Sequence, residues 1–195
     1  LDGGVRTARL DADRRQRQML GIEGLHEAGD FLAGLGFQFG AQPEDGMAPL
    51  RKHDVRLKAA TTDEIEAVWE ERWHGLVVGL GTVYSPADVL GLALVDHHDE
   101  VVGLVTYHVD GPSGEIVTLD TFLSGRGLGG RLLEAAESTF HRRGVGRVWV
   151  VVTNDNLRAA GLYLSRGYRL VRVHLDAVAR VREHKPGLPE RGYEG

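Results

Sequence analysis

The feature that most constrains this chain is a run of glycines between an apolar strand pattern and a helical one. The run reads Gly-Arg-Gly-Leu-Gly-Gly from Gly125 to Gly130, and apolar residues at helical spacing follow from Leu132. Glycine permits positive φ angles and close approach of a ligand, and the amide groups that begin a helix attract anions. The segment predicts a phosphate-binding turn, with Arg126 and Arg131 adding positive charge. The alternative is a tight turn without a ligand.

The run also matches the dinucleotide-binding pattern G-x-G-x-x-G at Gly125, Gly127 and Gly130. That pattern belongs to folds in which several strand–helix–strand units follow one another. Here hairpin-like strands precede the turn, and one strand–helix–strand unit follows it. Asp155 lies later than the ~20-residue spacing that a ribose contact prefers. This context argues against a dinucleotide-binding domain.

Hydrophobic periodicity predicts the elements that precede the glycine run. A strand starts at Val55, and Thr61 with Glu64 forms a capping box that begins a helix. Residues 76–86 read as a loop. Two apolar runs, 92–95 and 101–109, flank a polar turn as in a hairpin, and residues 115–122 add a third strand.

After the glycine run the pattern predicts a helix, a strand at 147–152, a helix at 157–166, a strand at 168–173 and a helix at 176–185. The predicted fold class is α/β, with a mixed, mostly antiparallel sheet of six or seven strands and helices on both faces. Residues 1–50 are interpreted as a partly helical N-terminal extension with a helix over 13–25, and residues 51–195 as the main domain.

Composition narrows the functional classes. The 195 residues include no cysteine, which excludes disulfides, cysteine-ligated metal sites and a cysteine nucleophile in this chain. No apolar stretch reaches the ~20 residues of a membrane span, and no signal peptide is evident, so a cytoplasmic location is the expectation. The net charge of −5 disfavours nucleic acid as a partner and is compatible with a cationic substrate.

Two segments together resemble a known family. Ser124 to Leu133 resembles the acyl-CoA pyrophosphate loop, motif A, of the GNAT N-acetyltransferase superfamily, with Gly127 and Gly129 at its two small positions. Thr153 to Tyr168 resembles motif B of that family. The chain departs from the pattern at Ser124, where the family has Gln or Arg, and its motif A loop is short, as in a subset of bacterial members. The resemblance covers about residues 55–173.

The resemblance implies that acetyl-CoA is the co-substrate and assigns its contacts. Backbone groups of Leu119 and Thr121 would contact pantetheine where their strand splays from its neighbour. The pyrophosphate would lie on the glycine run, through Arg126, Gly127, Leu128, Gly129, Gly130 and Arg131. Asn154 and Asn156 would hold the turn after the next strand or touch the co-substrate, and a helix N-cap is an equal alternative for Asn156. No metal is expected, since Asp96-His-His-Asp99 reads as a solvated turn.

Acyl transfer to an amine needs a base or a base–water relay, because an amine with a pKa of about 10.4 is protonated at neutral pH. The reaction also benefits from an acid for the leaving thiolate. Tyr163 stands where the family has its general acid; the alternative is a core tyrosine. Glu115 matches the base position of the histone acetyltransferase branch; the alternative is a surface residue, and Asp120 is the second candidate for the base.

The predicted function is transfer of an acetyl group from acetyl-CoA to a primary amine by direct attack in a ternary complex. The acceptor would be a small molecule or a peptide, and a homodimer is plausible. Two alternatives stay open: a non-catalytic acyl-CoA-binding sensor or partner module, and an acyltransferase that acts on a protein or aminoacyl-tRNA amine.

Overall fold

A computed structural model of the chain describes residues 19–25, 55–123 and 125–188. Its strands, in chain order, are β1 (Met19–Leu25), β2 (Arg56–Ala59), β3 (Val77–Val78), β4 (Val83–Tyr84), β5 (Leu90–Val95), β6 (Val101–Asp110), β7 (Ser113–Thr121), β8 (Arg147–Thr153) and β9 (Arg169–His174). The helices are α1 (Thr62–Trp73), α2 (Leu128–Arg142), α3 (Leu157–Ser165) and α4 (Ala177–His184), with a 3₁₀ turn at Pro86–Asp88.

Seven of these strands form one sheet in the order β2-β5-β6-β7-β8-β1-β9. All neighbours are antiparallel except β7 and β8, which are parallel. This confirms the predicted fold class, a mixed and mostly antiparallel sheet flanked by helices. The single parallel pair is joined by α2, as a parallel connection requires a crossover of a dozen or more residues.

Local sequence signals explain where the helices begin. The side chain of Thr61 accepts the amide of Glu64, and the Glu64 carboxylate accepts the amide of Thr61, which completes the predicted capping box of α1. Ile65, Val68 and Trp69 of α1 are buried against the sheet. The opposite sheet face is covered by α2, whose buried side chains include Leu132, Leu133, Ala136 and Phe140.

The helix predicted over residues 13–25 is wrong where the structure describes it, because Met19–Leu25 is strand β1. Two glycines, Gly21 and Gly24, disfavour a helix by about 1 kcal/mol each. Ile22 is 1% exposed and belongs to the main core, the cluster of buried side chains that also contains those of α2. Strand β1 is hydrogen-bonded on both sides, to β8 and to β9. The division of the chain at residue 50 stays a prediction, since residues 1–18 and 26–54 lie outside the described part.

The loop predicted over residues 76–86 is also wrong in part. Val77–Val78 and Val83–Tyr84 form a separate two-stranded ribbon. Helix α4 packs near it, with Val178 and Val181 in a cluster that includes Val78 of the ribbon and Val151 of β8. Ribbon and helix therefore lie over the α1 face of the sheet beside β8. No helix in the described ranges is long and apolar enough to cross a membrane.

Candidate active site

The central feature of the site is a gap between the parallel strands β7 and β8. Their ladder runs from Ser113↔Arg147 to Ile116↔Val150, although β7 continues to Thr121 and β8 to Thr153. The amide of Phe122 donates to the Val102 carbonyl on β6. Because alternate residues of a strand direct their backbone groups to the same side, those of Leu119 and Thr121 face the gap. The predicted splay is therefore present at these two residues.

The glycine run forms the turn that begins α2 at the open end of this gap. Gly125 and Gly127 have φ angles of +73° and +69°, which only glycine adopts without strain. Gly127 is the N-cap of α2, and the first turn of the helix carries no acidic residue. A Cβ added to Gly129 would lie 3.4 Å from Leu162 and 3.5 Å from Leu119, so this first turn borders the gap.

Two other residues of this turn that were predicted to contact the pyrophosphate, Leu128 and Arg131, differ in the groups they present to it. Leu128 is buried, so its backbone rather than its side chain is presented to the turn. The Arg131 guanidinium donates to the Val55 carbonyl at 3.4 Å, which directs it toward the start of β2. Ser124 lies outside the described residues.

Tyr163 of α3 is buried at 3% exposure, with its ring 5.4 Å from that of Tyr168. Burial raises the pKa of its hydroxyl, and the carboxyl groups of Asp120 and Glu137 raise it further. The group is therefore a protonated phenol at neutral pH. It belongs to the main core cluster, as the alternative interpretation held, and it is also electrostatically coupled to Asp120 of β7.

Asp120 lies near the open end of β7, on the sheet face that α1 covers. Its Oδ2 accepts the indole N–H of Trp73 at 3.1 Å. Burial raises the pKa of this carboxyl, while the hydrogen bonds from Trp73 and Thr118 oppose that shift. Asp120 thus combines a raised proton affinity with a position next to the gap.

Glu115 lies at the other end of β7, and it is buried at 6% exposure, so the surface interpretation is wrong. The Tyr84 hydroxyl donates to its Oε2 at 2.6 Å. Burial raises the pKa of the Glu115 carboxyl, while the Tyr84 hydrogen bond and the nearby His108 oppose that shift. A carboxylate whose pKa is raised binds a proton more tightly than an ordinary carboxylate, which suits a general base.

A cavity of about 400 Å³, here called the Glu115 cavity, opens beside this carboxyl. Its lining includes Tyr84, Asp88, His108, Asp110, Glu115 and Trp149. Sequence reasoning did not single out Tyr84, Asp88 or Asp110 as site residues: Tyr84 belongs to the segment 76–86 that is predicted as a loop, Asp88 follows that segment, and Asp110 ends strand β6. The signal that marks Tyr84 is its burial against a carboxyl 31 positions away, which is not visible in the sequence.

The two predicted asparagines lie in the turn after β8. The Asn156 Oδ1 accepts the amide of Ala159 at 3.1 Å, so Asn156 is the N-cap of α3. This supports the alternative of a structural cap for that residue. Asn154 is in the same turn, and a contact between it and the co-substrate stays a prediction. Among the described residues, no group of three or more histidine or acidic side chains could hold a metal ion.

Comparison with known proteins shows which sequences this chain is similar to. The sequence model of the Acetyltransferase (GNAT) family matches residues 55–168. The uncharacterized protein YxbD of Bacillus subtilis is 33% identical over 129 residues, which is 65% of this chain and 80% of YxbD. The mycothiol acetyltransferase of Beutenbergia cavernae is 42% identical over 67 residues, which is 33% of this chain and 23% of that protein.

Solved structures agree at the level of the fold. The IAA acetyltransferase from Bacillus cereus superposes with a TM-score of 0.55 at 19% identity, covering 66% of this chain and 86% of that one. A GCN5-related N-acetyltransferase from Sphaerobacter thermophilus gives 0.51 at 16% identity, covering 83% of this chain and half of that one. With the family match over more than half of its length, the chain belongs to the GNAT family of acetyltransferases.

Proposed function

We propose that this protein is an N-acetyltransferase that moves the acetyl group of acetyl-CoA to a primary amine. The observation that carries the proposal is the gap that opens beyond Ile116 and Val150, bordered by the glycine turn and by α3, the helix that carries Tyr163. A strand with outward-facing amides, a helix N-terminus without acidic residues and a buried phenol together suit a thioester with a phosphate-bearing tail.

The residues at the gap fit such a co-substrate. Backbone groups of Leu119 and Thr121 face the gap and would hold the pantetheine arm and the acyl oxygen. The turn at Arg126, Gly127, Leu128 and Gly129, with Gly130 and Arg131, would hold the pyrophosphate. Acetyl-CoA supplies an activated acyl carbon when bound. The family match and the name of the mycothiol acetyltransferase relative favour acetyl as the acyl group.

In the proposed reaction the amine nitrogen attacks the thioester carbon, the new C–N bond forms and the C–S bond breaks. The proton that the amine loses goes to a carboxylate, either Glu115 or Asp120. The thiolate receives a proton from the Tyr163 hydroxyl. The chain contains no cysteine that could carry the acyl group, so direct attack in a ternary complex is the proposed route.

Titration calorimetry with acetyl-CoA tests the proposal, with NADH and ATP as controls. We expect micromolar binding of acetyl-CoA alone and release of free CoA when a primary amine is added. The Gly129→Val variant should weaken acetyl-CoA binding at least tenfold, because its side chain would project beside Leu119 and Leu162 into the gap.

The matched control is Gly161→Val on α3, because an added Cβ there meets no atom within 4 Å. It should bind acetyl-CoA like the wild type. If wild-type protein fails to bind acetyl-CoA, the enzyme proposal falls. If Gly129→Val binds it normally, the cradle lies elsewhere.

A further inference from the structure

The Glu115 cavity adjoins the closed end of the gap. Glu115 pairs with Trp149 one position before the last ladder pair, Ile116↔Val150, and both side chains line the cavity. The cavity lies on the α1 face of the sheet, whereas Tyr163 packs in the core on the α2 face. A molecule in the cavity would therefore reach the reacting centre from the face opposite α2 and α3.

The lining of this cavity is acidic and aromatic. Carboxyl groups come from Asp88, Asp110 and Glu115, and none of the described residues that line it is a lysine or an arginine. Hydrogen bonds from Ser85 lower the pKa of Asp88, which keeps that carboxyl ionised at neutral pH. The rings of Tyr84 and Trp149 offer apolar surface for methylene groups and π faces for a cation.

The carboxyl groups are separated along the cavity rather than gathered at one point. His108 pairs with Glu115, and Asp110 lies two residues further along β6 on the same face. With a rise of about 3.3 Å per residue and a strand spacing of about 5 Å, the Cα atoms of Glu115 and Asp110 are roughly 8 Å apart. Glu115 is buried, whereas Asp88 and Asp110 are exposed.

We propose that the Glu115 cavity is the acceptor site and selects a primary amine that carries a second cationic group, as in a short alkyl diamine. The inference rests on the proposed function. The reacting amine lies at Glu115, its methylene chain lies along Tyr84 and Trp149, and the far ammonium group remains charged beside Asp88 and Asp110.

Three amines of equal chain length test the inference: 1,5-diaminopentane, pentylamine and 5-aminopentanoate. With saturating acetyl-CoA, kcat/KM for the diamine should exceed that for pentylamine roughly five- to tenfold, and the anionic 5-aminopentanoate should be the poorest substrate. Asp110→Asn should lower the diamine value about three- to fivefold and leave the pentylamine value unchanged.

The control variant is Asp99→Asn, because Asp99 lies in the exposed β5–β6 turn and pairs with Arg56. It should change neither value. Equal kcat/KM for diamine and pentylamine, or a diamine value that Asp110→Asn leaves unchanged, would overturn the inference while the proposed function stands.

Calorimetric titration of the wild type and of Asp110→Asn with 1,5-diaminopentane separates the two proposals. Binding that weakens in Asp110→Asn supports recognition of a dication by the Glu115 cavity. If acetyl-CoA then does not bind, the proposed function fails together with the acceptor role, and the dication site stands. Absence of diamine binding both with and without CoA overturns the inference.

Discussion

The Tyr163 hydroxyl is the group whose surroundings bear most directly on acyl transfer. It is buried, it is held protonated by desolvation and by the carboxyl groups of Asp120 and Glu137, and it lies on the helix that borders the gap. A protonated phenol can donate to a leaving thiolate, whereas a binding module has no need of that proton. A loss of turnover on removal of this hydroxyl would therefore favour the catalytic interpretation over the sensor interpretation.

Replacing Tyr163 with Phe removes this proton donor and keeps the ring in the core. We expect kcat to fall about 100-fold, the lower end of the range for general acid catalysis, with little change in acetyl-CoA affinity. Steady-state release of CoA and calorimetric titration measure the two quantities. The matched control is Tyr168→Phe, since Tyr168 is equally buried and packs against Tyr163. If both variants turn over like the wild type, Tyr163 is a core residue only.

Burial of Glu115 has a consequence for stability as well as for catalysis. Its pKa in the folded protein is raised above the ordinary value of 4.5. The folded state thus holds the proton more tightly than the unfolded state, so the stabilisation is present below about pH 4.5 and is lost as pH rises through the folded pKa. The side chain of Glu115→Gln does not ionise, so this variant does not lose stability as pH rises through that pKa. Its amide oxygen can still accept the Tyr84 hydrogen bond.

The melting temperature of Glu115→Gln minus that of wild type should therefore increase from about pH 4 to pH 8. Thermal unfolding in matched buffers at each pH measures the difference. A difference that stays constant across this range would show that the carboxyl has no raised pKa. Comparing kcat of this variant with that of Asp120→Asn identifies which carboxylate accepts the amine proton.

Helix α4 shows how an element far along the chain contributes to the site. The Lys185 ammonium, at the end of this helix, donates to the Trp73 carbonyl at the end of α1. The Trp73 indole in turn donates to Asp120. The two helices are thereby joined above the open end of β7, and Lys185 positions the residue that holds one candidate base.

Lys185→Met keeps the apolar stem and removes the donor. A charged hydrogen bond at a half-buried site contributes on the order of 1 kcal/mol, so the melting temperature should fall by about 2–4 °C. Hydrogen exchange in residues 177–184 should quicken. Arg180→Met is the control, because Arg180 is exposed on the same helix. Unchanged exchange in Lys185→Met would mean that apolar packing alone holds α4.

Elements with local signals could be predicted from the sequence, and those set by distant contacts could not. Thr61 and Glu64 mark α1, and Asn156 marks α3, because a cap depends on residues three positions apart. The ribbon at Val77–Val78 and Val83–Tyr84 was missed, since two-residue strands leave no periodicity to detect.

At the scale of the molecule, the position of β1 in the sheet could not be predicted from the sequence. A strand that begins at Met19 inserts between β8 and β9, more than 120 positions later, and the pairing partner of a strand is not encoded in its own pattern. The glycine turn and the periodicity around it predicted the strand–helix–strand unit, because these signals are local, and the resemblance to the family implied the splay at Leu119 and Thr121.

The insertion of β1 can be tested at one cross-strand residue pair of the sheet. Ile22 pairs with Leu170 across β1 and β9, yet Ile22 is 1% exposed and Leu170 is 52% exposed. Ile22→Asp would bury a carboxylate in the main core, which costs several kcal/mol, so we expect loss of cooperative unfolding or of soluble protein. Leu170→Asp should shift stability by no more than about 0.5 kcal/mol.

Because Ile22→Asp is expected to unfold, Ile22→Val supplies the quantitative measurement. Loss of one buried methylene costs about 1 kcal/mol, which should lower the melting temperature by about 2–4 °C. If both substitutions at Ile22 were as harmless as Leu170→Asp, residue 22 could not lie in the core. Strand β9 would then lose the partner that the described sheet gives it, and the seven-stranded order would reduce to the five strands from β2 to β8.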